Sequence, residues 1–327
     1  GTWIWGAYSN WIRENHPHAL SKITGEEKLE DWSEHCREAA LKSAVPEELH
    51  YNRFIADRTC AFLEEKKRDE RPFFCWCSFP DPHHPFVAPQ PFCDWYDPGD
   101  MPLPIVEEGE LDTLPPFYRI IHEEGAGRWG GVSGRGRATQ RTDSELQHIW
   151  AMTYAMVSCV DAAIGRVLDT LETTELAENT IVCFLTDHGD MLGDHGIVNK
   201  GPFHFEGLLR MPFIWSWPGH FPAGVRTAGL ASQIDFAPTI LDLCGVAIPE
   251  GPRPAEPVAA HERDPWPGRS LASVLQGQEK KVRDWVIVEN DEDYLGTNVR
   301  SFITNRYKLT VYAGHPEWGE LFDLQDD

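Results

Sequence analysis

Apolar positions along the chain recur in two rhythms, and their alternation lays out a fold. Across 46–67, Phe54, Ile55, Ala61, Phe62 and Leu63 fall at helical spacing, and Glu47 and Glu48 stand where a helix dipole favours acid, so a helix is predicted. The run 73–79 is short, apolar and bounded by prolines, which reads as a buried strand. Ile149, Met152, Met156, Val160, Ala163, Val167 and Leu171 step by three or four, the stripe of a long amphipathic helix. The segments 181–185 and 212–217 are two more apolar strands, and 235–243 is a helix with Gly245 placed to cap it. Helix followed by apolar strand occurs twice, which predicts an α/β fold with a mixed, mostly parallel central sheet flanked by helices.

The rhythm changes towards the end. Segments 285–289, 299–304, 308–312 and 320–324 are short strands between polar turns, a small antiparallel α+β subdomain. The expected division is an α/β domain over 1–275 and a C-terminal sheet over 276–327, with the Pro/Gly-rich stretch 249–268 as a link. The first fifty residues are polar and Trp-rich, predicting loops with a short helix or two. Residues 80–104 hold eight prolines and form a rigid loop directly after a strand, where α/β proteins place ligand-binding loops. The long connection 106–141 reads as a solvated loop; its five arginines leave an anion contact open as the alternative.

Composition narrows the function classes. With 29 basic against 52 acidic residues the formal charge is −23, which argues against a nucleic-acid partner because phosphate backbones need a basic face. An anionic substrate would need a local metal or lysine to override that field. No run of about 18 apolar residues occurs, so no membrane span is expected. Eight cysteines are too few for a disulfide scaffold; Cys75, Cys77, Cys159, Cys183 and Cys244 sit in apolar runs and are expected to be buried thiols.

Two constellations carry chemistry. In 186–201, Asp187 and His188 end a strand, Gly189 permits a sharp turn, and Lys200 follows thirteen residues on. A carboxylate beside an imidazole suits half of a divalent-metal site, and a lysine can meet an oxyanion; the plainer reading is a side-chain pair satisfied by loop hydrogen bonds. In 79–86, prolines brace the pair His83 and His84, fixing a group able to bond a substrate oxygen or protonate a leaving group near neutral pH, or simply two surface histidines.

Together these segments, with 210–214, Pro218-Gly219, 160–165, 235–239, 268–271, 306–309 and 320–324, resemble the sulfatase family of the alkaline phosphatase superfamily, over nearly the whole chain. The resemblance implies an alkaline phosphatase-like fold and hydrolysis of a small anionic sulfate ester. It implies that Asp187 and His188 ligate a divalent metal, Ca²⁺ first with Mn²⁺ or Zn²⁺ as alternatives, that Lys200 touches the sulfate, and that His83 contacts the sulfate or its ester oxygen. His84, at the family's variable position, and His195 and His204, nearby in sequence, are weaker candidates for substrate contact. The family's nucleophile is a formylglycine made from Cys or Ser in Cys/Ser-x-Pro-x-Arg. No cysteine or serine here has that context, and the adjacent Asp pair expected near an N-terminal strand is missing, Asp326-Asp327 lying at the wrong end. An N-terminal portion outside this sequence is therefore expected, and this chain alone is expected to be inactive and poorly stable. A phosphoric or phosphonic ester hydrolase of the same superfamily and a non-catalytic binding protein on this fold are the alternatives. Compartment and oligomeric state are left open.

Overall fold

The structure is a computed structural model describing residues 6–20, 40–119, 141–198, 200–248, 267–291 and 298–326. Most of the link 249–268 and of the arginine-bearing connection lies outside the described residues. The chain divides into two compact units, 1–177 with 189–201, and 178–188 with 202–327.

The first unit is built on helices. Helix α1 (Ala7–Asn15) is followed by a two-residue strand β1 (Leu41–Lys42), helix α2 (Tyr51–Lys66), a second short strand β2 (Val87–Ala88) and the long helix α3 (Asp143–Thr173). β1 and β2 pair in parallel. The predicted helix at 46–67 is realised as a 3₁₀ turn, Glu47–Leu49, running into α2. α3 begins in a capping box: Thr142 Oγ1 accepts from Glu145 N–H, and the Glu145 carboxylate accepts from Thr142 N–H. Its stripe Ile149, Met152, Met156 and Cys159 packs with Phe86, Ala88 and Phe92 into the core of this unit. Each such buried side chain contributes about 1.5–3 kcal/mol through removal from water. By length and composition alone α3 could cross a membrane, but that apolar stripe is occupied by this core.

The run 73–79, predicted as a buried strand, is assigned no regular structure, and Phe74 and Trp76 are 65% and 62% exposed. Apolar composition fixes the tendency to extend; burial needs a neighbour across the strand, which the local pattern does not encode. The same limit affects the thiols. Cys159 is buried, but Cys77 and Cys183 are half-buried and Cys75 and Cys244 exposed.

The second unit opens with β3 (Val182–Leu185) and β4 (Phe213–Ser216), which pair antiparallel, Phe184 opposite Ile214. Helix α4 (Phe236–Leu243) follows. β5 (Trp285–Asn290), β6 (Val299–Thr304), β7 (Tyr307–Tyr312) and β8 (His315–Asp323) then form the predicted antiparallel sheet in sequential order. Its alternation runs against expectation in one respect. The buried face carries Ser301, Lys308, Thr310 and Glu320, while Ile287, Phe302, Leu309 and Val311 are partly exposed on the other. The buried polar groups are bonded: Ser301 Oγ lies 2.7 Å from Thr310 Oγ1, and the Tyr312 hydroxyl donates to Glu320.

Candidate active site

In the second unit, Asp187 and His188 occupy the turn that follows β3. That turn is held from the backbone: Gln233 Nε2 donates to the carbonyls of Thr186 and Asp187. Gln233 is itself placed by the capping box of Ser232 and Asp235 that leads into α4. The Asp187 carboxylate accepts from His188 N–H at 2.9 Å, and its second oxygen stands 3.5 Å from His188 Nε2. With its side chain 86% exposed, Asp187 offers a hard anionic oxygen to solvent beside an imidazole. This donor set fits part of a divalent-cation site, since hard cations take six or more oxygen-rich ligands and two residues supply a fraction of them. Among the described residues no group of three or more His, Cys, Asp or Glu stands where it could complete a shell.

His204 also belongs to this unit. It is buried, with Nδ1 2.7 Å from Ser301 Oγ. Burial, with Lys308 and Arg300 near, pushes its pKa down to about 4, so the ring is neutral at physiological pH and joins the polar interior of the C-terminal sheet.

In the first unit, His83 and His84 stand on the proline-braced loop, their rings stacked at 4.1 Å. His83 is exposed and His84 half-buried. The His83 N–H donates to the Pro80 carbonyl at 3.1 Å, and His83 Nδ1 meets the His84 carbonyl. The loop is rooted by Asp81, which lies within 79–86 beside the histidine pair. Asp81 is buried and accepts from the Tyr51 hydroxyl and from Asn52 Nδ2 at 2.7 Å. With no cation among these donors, burial pushes the Asp81 pKa up to about 6, against the pull of both hydrogen bonds. The Tyr51 hydroxyl is pushed well above its ordinary value by burial and by the carboxylate it faces. The available signal was an acid immediately before Pro-His, with Tyr51 and Asn52 inside the predicted helix 46–67.

The segment between Met191 and Val198 is clamped to the same unit. Trp150 Nε1 on α3 donates to the Leu192 carbonyl at 2.8 Å, and Asp194 accepts from Ile105 N–H at 2.8 Å. His195, in a left-handed conformation at φ 54°, pairs through Nδ1 with Glu110 at 3.1 Å. Gly193, at φ 104°, lies against Pro104 so closely that a Cβ would stand 2.4 Å from its ring, which excludes any other residue. Lys200 follows this clamped segment and is half-buried.

Comparison with known proteins gives these residues a context. The sulfatase family matches residues 3–246, and the N-sulphoglucosamine sulphohydrolase C-terminal family matches 193–327. A choline-sulfatase of Rhizobium meliloti is 29% identical over 277 residues, 84% of this chain and 49% of the relative. The multifunctional alkaline phosphatase superfamily protein PehA of Trinickia caryophylli is 31% identical over 248 residues, 74% of this chain and 44% of the relative. This chain thus spans about half the length of these curated relatives. Among solved structures, a phosphonate monoester hydrolase of Agrobacterium radiobacter superposes with a TM-score of 0.77 at 24% identity, over 98% of this chain and 63% of that one, and shares the fold. With three quarters of its length matched, the chain belongs to the sulfatase family, hydrolases of the alkaline phosphatase superfamily.

Proposed function

We propose that the protein hydrolyses a sulfate monoester, with Asp187 and His188 as two ligands of a divalent metal, Ca²⁺ in the first place. The observation that carries this reading is the Asp187–His188 pair at the end of a strand, with Lys200 thirteen residues on, inside the segment matched by the sulfatase family. A metal bound there supplies Lewis-acid polarisation of the transferring group and stabilises an oxygen nucleophile at neutral pH. The nucleophile in this reading is a formylglycine, for which this sequence carries no Cys/Ser-x-Pro-x-Arg. Lys200 supplies a compact cation to the oxyanion, in a chain whose net charge of −23 otherwise repels it. His83 hydrogen-bonds the ester oxygen and hands it a proton as the alcohol departs; His84, stacked on it, restrains the ring. His195 and His204 enter this reading as groups held by Glu110 and Ser301 rather than as substrate contacts.

A second reading, hydrolysis of a phosphonate or phosphate ester, is favoured by the relationship to PehA and the fold shared with a phosphonate monoester hydrolase. Parallel assays of the full-length protein, with its nucleophile segment, on 4-nitrophenyl sulfate, 4-nitrophenyl phosphate and 4-nitrophenyl phenylphosphonate, with metal analysis, separate them. Turnover of the sulfate, lowered about 10²–10³-fold by Lys200→Ala, and loss of metal in Asp187→Asn are the expected results. Turnover of the phosphonate alone selects the second reading. A metal-free full-length protein inert on all three leaves a non-catalytic binding protein.

A further inference from the structure

We infer that Asp81 is a positioning residue for the chemistry proposed above: its carboxylate, gripped by two consecutive residues at the start of α2, fixes the loop that presents His83. The inference rests on the sulfatase reading only for what His83 does, not for how it is held. Upstream of the loop, the run 73–79 meets α2 through side chains: Thr59 Oγ1 donates to Cys77 Sγ at 3.3 Å, and the Phe62 and Phe73 rings meet edge-on at 5.6 Å. Within the loop, Pro80, Pro82 and Pro85 lack N–H groups, which leaves few backbone bonds to define it. Downstream, Phe86 is 1% exposed and its carbonyl accepts from Leu41 N–H at 2.8 Å. One end of the loop is therefore fixed by the core and by the β1–β2 pair. At the other end, the Asp81 side chain is a buried anchor inside the loop itself, bonded to two residues of α2.

The anchor is specific. Asn52 is fully buried and also reaches Cys159 Sγ on α3 at 3.6 Å, so the carboxylate is tied to both long helices of the unit. Tyr51 takes one carboxylate oxygen and Asn52 the other, which sets the plane of the carboxylate as well as its position. Bonds to an ionised acceptor are roughly twice as strong as neutral ones, and two of them on one group resist rotation. His83 is two residues away and exposed, so its placement depends on this root. Asn52 Oδ1 is buried without a partner, which gives an amide at position 81 a ready acceptor.

The test uses the 327-residue chain and reads the loop directly, by ring ¹H–¹⁵N signals of His83 and His84 and amide exchange at His83, His84 and Phe86. Asp81→Ala is expected to collapse the distinct ring signals of the stacked pair and to speed exchange at His83 and His84 about tenfold or more. Tyr51→Phe, which keeps the ring and removes one bond, is expected to speed it by about fivefold, the loss of one hydrogen bond. Asp81→Asn, which keeps an acceptor for Tyr51, is expected to fall between wild type and Asp81→Ala. Unchanged ring signals and exchange in Asp81→Ala overturn the inference; should that variant fail to fold, unchanged exchange in Tyr51→Phe overturns it. In the active protein, Asp81→Ala is expected to lower kcat about 30-fold or more with KM within about threefold, partly recovered by Asp81→Asn. A purely structural role would leave the folded fraction with wild-type kcat. If the full-length wild-type protein turns over neither sulfate nor phosphonate ester, the functional reading fails while the ring and exchange measurements still decide the anchor.

Discussion

Two buried carboxylates, one in each unit, are held in opposite ways. Asp235 is fully buried in the second unit and faces a guanidinium, that of Arg283, itself 7% exposed. It also accepts from Ser232 N–H at 2.9 Å and Arg269 N–H at 2.7 Å. Around it the chain returns from 267 onto α4: Leu271 N–H donates to Thr239 Oγ1, and Gly268 lies so near the Ile234 carbonyl that a Cβ would stand 1.9 Å from its oxygen. Asp81 in the first unit is nearly as buried but meets only neutral donors, and its pKa rises to about 6. A carboxylate with a cation and several N–H groups offsets its desolvation and acts as a staple. One held by a hydroxyl and an amide does not, and its ionised form weighs on the fold where it roots a histidine loop.

The largest expected effect tests the staple. Asp235→Ala leaves Arg283 buried without its counter-charge and should cost about 3–5 kcal/mol, measured by urea unfolding. Asp81→Ala removes no cation's partner and should cost about 1–3 kcal/mol. Equal losses at the two sites would break the comparison.

The next two effects have opposite signs with pH. His204, faced by Lys308 and Arg300, has its pKa lowered to about 4, below the ordinary value near 6.5. The stability it contributes is fully present above about pH 6.5 and lost as pH falls through about 4. The loss relative to His204→Asn should reach about 3 kcal/mol. Asp81, whose folded pKa is raised to about 6, contributes stability that is present below about pH 4 and lost as pH rises through about 6, close to 3 kcal/mol. Tyr51 and Asn52 face it directly, and His50, whose pKa burial lowers to about 4, changes stability in the opposite sense over this range. The Asp81 contribution is therefore read as the difference between wild type and Asp81→Asn. That difference should grow in favour of the variant from pH 4 to 6 and then level off. A flat difference would mean Asp81 is not desolvated.

What was legible from sequence follows the range of the interactions. α2, α3, α4 and the C-terminal strands announce themselves because a helix or hairpin repeats its apolar pattern within a few residues. Asp187 and His188 were legible because they are neighbours in sequence. The partners that hold the site were not. Tyr51 and Asn52 reach Asp81 across 30 and 29 residues, Glu110 reaches His195 across 85, and Ser301 reaches His204 across 97. No local pattern distinguishes these partners from ordinary surface polar residues. The exposure of Phe74 and Trp76 was hidden for a related reason: composition marks a strand as apolar but does not supply the surface that covers it.

The smallest effect is the sharpest probe of the neutral-donor arrangement. Tyr51→Phe deletes one hydroxyl and keeps the ring that packs edge-on at 6.2 Å to Tyr8 and tilted at 4.0 Å to His50. Its cost to stability should be about 1 kcal/mol, the ordinary net worth of one hydrogen bond. Its effect on titration is the more telling. The Tyr51 hydrogen bond favours the ionised form of Asp81, so removing it should raise the Asp81 pKa further above about 6, read from the side-chain carboxyl ¹³C shift against pH. An Asp81 midpoint that stays in place would show that the hydroxyl does not bond the carboxylate, and the contrast between the two buried acids would then rest on desolvation alone.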